Sequence, residues 1–189
     1  MPSRPSLHRR PRQTTRLGPV LAVLAGALTA CTPTFNWREV RPAGPMVALL
    51  PCKPEVRSRT VPLAGAPASL TVAGCEAGGL HWGLAVADVG GPGRVGPALA
   101  ALEAALAGNL GAPVRPAGPA KVEGQTPHPQ ARQARIDGHD PSGAPVSARS
   151  WVWAQGTWVA QASVLARAQP TPAQQEAVEA FAAGLRVAR

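Results

Sequence analysis

Residues 146–165 read VSARSWVWAQGTWVAQASVL, two alternating stretches on either side of a glycine turn, and this segment decides the fold class. Val146 to Ala154 and Trp158 to Leu165 repeat with period two, the spacing of a strand with its two faces in different surroundings. Gln155-Gly156 is the reversal between them. With a two-residue loop there, Trp153 is expected opposite Trp158, and Trp151 two positions back on the same face. Three indoles then share one side of a sheet.

Working outward, Gly138-His139-Asp140-Pro141-Ser142-Gly143 has the composition of a turn, so Gln130 to Asp137 is the preceding strand. After the hairpin, Thr171-Pro172-Ala173-Gln174 matches a capping box, with Pro at the first helical position. Val178, Phe181 and Leu185 form the apolar stripe of the helix that follows. Upstream, Met46 to Leu50, Ser58 to Leu63, Ser69 to Cys75 and Leu80 to Val89 read as strands, the second and third separated by Ala64-Gly65-Ala66-Pro67. Leu99, Leu102, Leu106 and Leu110 lie on one helical stripe ended by Gly111 and Pro113. Ala112 to Pro129, rich in Pro and Gly, reads as a long loop. This order predicts an α+β fold, an antiparallel sheet of about six or seven strands with two packed helices.

The front of the chain has a different composition. Arg4, Arg9, Arg10, Arg12 and Arg16 stand among the first sixteen residues with no acidic residue, and Leu17 to Ala30 is uniformly apolar or small. That run is shorter than the roughly 20 residues a spanning helix needs. It ends Leu28-Thr29-Ala30-Cys31, which resembles the lipobox of bacterial lipoproteins. The resemblance implies an export signal over residues 1–30, removed on maturation, with Cys31 as the first mature residue. Its thiol would be joined to diacylglycerol, and palmitate is a typical acyl chain. Two or three acyl chains hold a protein to a membrane stably, because each buried CH₂ contributes about 0.8 kcal/mol. Thr32, where an Asp would resemble an inner-membrane retention signal, implies the outer membrane facing the periplasm. Cys31 to Pro45 reads as a lipidated tether, and residues 46–189 as a single domain. Trp37, between Pro33 and Pro42 and beside Arg38 and Arg41, fits either a place at the lipid headgroups or a return onto the domain.

Asn36-Trp37-Arg38-Glu39-Val40-Arg41, Leu50-Pro51-Cys52-Lys53-Pro54 and Gly74-Cys75-Glu76-Ala77 resemble segments of a group of proteobacterial lipoproteins, a likeness that implies no particular activity. The order of strands and helices is similar to the Mog1/PsbP-type sandwich, and fold alone carries no function.

Of the formal charge of +9, five units belong to the arginines of the export signal. The remaining positive residues, including Lys53, Arg57, Arg59, Arg132, Arg135 and Arg149, are scattered and read as solvated surface, which argues against nucleic-acid binding. Cys52 and Cys75 are an even pair once Cys31 is lipidated, and in an oxidising compartment a disulfide is expected. A redox or metal-binding dithiol is the alternative, but neither cysteine lies in a Cys-x-x-Cys motif. His81, His128 and His139 stand at no metal-ligand spacing, and the acids beside His139 are what its turn needs for its backbone. There is no Gly-x-Ser-x-Gly elbow and no phosphate-binding glycine motif, so no catalytic residue, metal or cofactor is expected. Trp151, Trp153 and Trp158 remain as either the core beneath the last helix or an aromatic ligand face. The functional expectation is a non-enzymatic envelope lipoprotein that binds the membrane through Cys31 and an envelope protein through its surface. A periplasmic ligand-binding or thiol-redox protein is the alternative.

Overall fold

The computed structural model describes residues 34–188; residues 1–30, read above as an export signal, and Cys31 lie outside them. Seven strands form an antiparallel sheet in the order β3-β4-β5-β9-β8-β7-β6. They are β3 (Glu55–Leu63), β4 (Ala66–Ala77), β5 (Leu80–Asp88), β6 (Arg115–Pro119), β7 (Arg132–His139), β8 (Pro145–Gln155) and β9 (Trp158–Ala166). A second sheet pairs β2 (Met46–Leu50) between β1 (Arg38–Val40) and β10 (Arg186–Val187). With α1 (Val95–Leu110) and α2 (Pro172–Ala183), the fold is α+β, as the alternating patterns require.

The central strands of the large sheet are covered on both faces, whereas β3 and β6 at its margins are mostly exposed. Val152, Ala154 and Val159 face α1, where they pack with Leu63, Leu70, Ala98, Leu99 and Leu102. Their neighbours along the strands point the other way, as the pleat demands. Trp151, Trp153 and Trp82 therefore meet α2 and the small sheet, packing with Phe181, Met46 and Leu50.

Local signals explain the element ends. Thr171 accepts the Gln174 amide and the Gln174 side chain accepts the Thr171 amide, which satisfies two free donors at the start of α2. The Gln174 side-chain amide also donates to the Gly78 carbonyl at 2.6 Å, docking that helix end onto the β4–β5 turn. In the β3–β4 hairpin the two-residue turn is Ala64-Gly65, both at positive φ (52° and 79°), as a type I′ turn requires.

Three stretches differ from expectation. The segment read as a tether is folded from residue 34 onward: Asn36 donates to the Pro51 carbonyl, β1 pairs with β2, and Phe35 and Trp37 set their rings against Trp82. Its prolines flank a three-residue strand rather than interrupting it. The segment read as a long loop contains β6, which pairs with β7 at the sheet margin and holds Pro116 and Pro119. An edge strand tolerates proline because one side of it needs no ladder donors. The β8–β9 hairpin turns one residue later than predicted, at Gly156-Thr157, so Trp158 opposes Gln155 and Trp153 opposes Ala160. The positive φ of Gly156 (57°) places glycine first in the turn. Because the pairing moves by two, the tryptophans stay on the predicted face.

Candidate functional site

The register of the large sheet sets one row of side chains crosswise over six strands on the α2 side. Reading from the β6 edge inward, Arg115 pairs with Arg135, Arg135 with Arg149, Arg149 with Val164, Val164 with Trp82, and Trp82 with Cys75. A charged margin thus grades into an aromatic core and ends at the disulfide.

At the inner end Cys75 is bonded to Cys52, with Cα atoms 6.0 Å apart. Cys52 follows β2 and Cys75 lies in β4, so the bond joins the small sheet to the large one. Both cysteines are half-buried. Beside them Trp82 is buried and donates its indole N–H to the Ala77 carbonyl at 3.1 Å.

Of the three indoles singled out from the sequence, Trp151 is nearly buried and Trp153 wholly so, whereas Trp158 is half-buried. Trp151 and Trp82 each meet the Phe181 ring edge to face, at 6.0 and 5.4 Å between centroids. Trp158 lies flat against Gly44, where a Cβ would fall 2.5 Å from the indole. The Trp153 indole N–H finds no acceptor among the described residues. In this conformation Trp153 presents no surface to a ligand. Trp37 is 38 % exposed and reaches Trp82 through an edge-to-face contact.

The outer end was not visible as a group in the sequence. Arg149 lies over the Trp151 ring, 5.0 Å from its centroid, and its guanidinium donates to Glu179 of α2 at 2.5 Å. Arg115 donates to Asp137 at 3.1 Å, and the other Asp137 oxygen accepts the Ser147 hydroxyl at 2.8 Å. Arg135, between them, has no ion-pair partner among the described residues. Strands β5, β7, β8 and β9, the segment after β9 and α2 border a cleft of about 460 Å³, with apolar lining at Leu80, Val164 and Val178 and two arginines, Arg135 and Arg149, alongside two carboxylates, Asp137 and Glu179. Arg115 lay in the presumed loop, and only the β6 pairing brings it into line.

Two of the residues read as solvated arginines are instead structural. Arg149 is held as described, and Arg132 pairs with Glu103, a carboxylate on the buried face of α1. That hydrogen bond holds the Arg132 guanidinium in its charged form, raising its pKa above the ordinary value. Glu103 follows Leu99 by four residues, inside the leucine stripe, and that position was the available sign of burial. In the β7–β8 turn the Ser142 hydroxyl, backbone amides of Ala144 and Ser142, and the Arg167 charge hold the Asp140 carboxyl below its usual range. Among the described residues no three metal-ligating side chains converge, and no helix is long and apolar enough to cross a membrane.

The domain is therefore a disulfide-tied α+β sandwich with a cleft of mixed charge at one margin of its sheet. Comparisons with protein-family models, with curated proteins and with solved structures give no match.

Proposed function

We propose that this protein is a lipid-anchored lipoprotein of the bacterial envelope, held to the outer membrane through Cys31, that acts by binding other envelope components rather than by catalysis. The observation that carries this reading is Leu28-Thr29-Ala30-Cys31, preceded by a short apolar run and an arginine-rich start. The Cys52–Cys75 bond supports it, since structural disulfides persist in oxidising compartments such as the periplasm. A tether confines the domain near one membrane and raises its effective concentration toward partners there, so a modest contact surface suffices.

Palmitate labelling in a bacterial host tests the anchor. The parent chain is expected to take up label and enter the detergent phase on phase separation, and Cys31→Ala to lose both properties. Equal labelling of the variant would refute the anchor. Crosslinking on intact cells, followed by purification of the lipidated chain, tests the binding half. A protein recovered in stoichiometric amount with the parent and lost with the unanchored variant is the expected result.

A further inference from the structure

We infer that the cleft between the β7–β8 margin and α2 is a binding site for an oxyanion, a phosphate group above all, carried by a small molecule or a lipid headgroup. The inference goes beyond the anchoring just proposed and stands without it, because it rests on the cleft alone.

The first argument is charge placement. Arg115, Arg135 and Arg149 occupy directly paired positions on three adjacent strands. Directly opposed side chains have Cβ atoms roughly 5 Å apart, and like charges so placed repel. The outer two are compensated: Asp137 takes Arg115 and Glu179 takes Arg149. Both Asp137 oxygens are engaged, one by Arg115 and one by Ser147. Arg135 has no ion-pair partner among the described residues: the two carboxylates that line the cleft beside it are engaged elsewhere, Glu179 by Arg149 and Asp137 by Arg115, which is not part of the lining, so Arg135 is the charge left to meet a ligand.

The second argument is preorganisation. Arg149 is held by a ring beneath it and a carboxylate beside it, so little side-chain freedom is lost when a ligand arrives. Arg135 supplies the fork geometry that matches phosphate and carboxylate oxygens in pairs. The third argument is the space. At about 460 Å³ the cleft falls in the range of small-ligand sites, with apolar walls at Leu80, Val164 and Val178 and a polar amide at Gln169. An oxyanion at the arginines and an apolar portion along those walls would fill it.

Calorimetry on the full chain in a nonionic detergent at low salt tests the site. The probes are inorganic phosphate and dihexanoyl phosphatidic acid, the latter kept below its micelle threshold. The parent is expected to bind at one site, Arg135→Gln to weaken binding at least about tenfold, and Arg135→Lys to recover part of the loss. Arg59→Gln, on β3 at the opposite edge, should bind as the parent does. Without ligand, Arg135→Gln should unfold at or above the parental midpoint, since it relieves repulsion. Similar affinity for both probes assigns the site to a free oxyanion, and tenfold preference for phosphatidic acid assigns it to a lipid headgroup; both support the site. Three results overturn it: neither probe saturating the parent below about 10 mM, unchanged binding by Arg135→Gln, or a lowered midpoint for that variant without ligand.

Discussion

The two faces of the sheet's central strands are both buried, yet they are built differently. Under α1 the contacts are aliphatic and small, with Ala98, Leu99 and Leu102 set on Val152, Ala154 and Val159. Small residues let a sixteen-residue helix lie close along the sheet. Under α2 the contacts are aromatic, with Trp82, Trp151, Trp153 and Phe181 filling a deeper space between layers. The cover there is composite, a twelve-residue helix beside a three-stranded sheet, and it is tied down by a disulfide. A composite cover has a margin where it stops, and at that margin lie the arginine row and the cleft. On the α1 side the helix carries one charged group, Glu103, which is buried and paired, and a smaller opening lined by Arg57, Arg59 and Val72 lies beyond it on β3 and β4. Surface for recognition thus arises where the covering layer ends.

Core deletions offer the largest contrast. Trp153→Ala should cost about 4 kcal/mol, as expected for removing a large side chain from a layer that cannot close around the gap. Leu99→Ala, on the other face, should cost about 3 kcal/mol, because a leucine leaves a smaller cavity. Urea titrations with unchanged m-values measure both. A greater loss for Leu99→Ala would reverse the ranking of the two faces.

Removing the disulfide separates them next. Cys52→Ala with Cys75→Ala opens a link between residues 23 apart and should cost about 3 kcal/mol in the loop-entropy account. Hydrogen exchange should then accelerate in β2 and the adjoining end of β4, while α1 and the amides beneath it keep their protection order. Uniform acceleration across both faces would show that they unfold as one unit and that the bond does not act on one cover alone.

The smallest effect concerns the turn of the β3–β4 hairpin, which sits beside the α1 cluster. Ala64 has a positive φ, a conformation that disfavours a residue with a Cβ and that asparagine tolerates better. Ala64→Asn should raise stability by about 0.5 kcal/mol, read as a shift in the urea midpoint with an unchanged m-value.

Much of this contrast was legible before any coordinates. The capping box at Thr171 and Gln174, the leucine stripe of α1 and the shared face of the three tryptophans all follow from spacing within one element or between two joined by a short turn. The pairing of Cys52 with Cys75 followed from the even number of cysteines left once Cys31 is set aside and from the oxidising compartment expected for the chain. The hairpin register was off by two, because a turn shifted by one residue changes every partner while preserving the faces. The folded segment around Phe35 and Trp37 was hidden because three residues of strand have no period to detect.

Alternation, capping and helical stripes are properties of neighbouring residues, whose geometry is set within a few bonds; that is why the linear chain suffices for the α+β class and for which face each tryptophan takes. The alignment of Arg115, Arg135 and Arg149 joins three strands through an edge pairing rich in proline, and the burial of Glu103 depends on which face of the sheet α1 covers. Those are long-range choices, settled only when the layers pack, because the same residues in another register would be scattered surface charges.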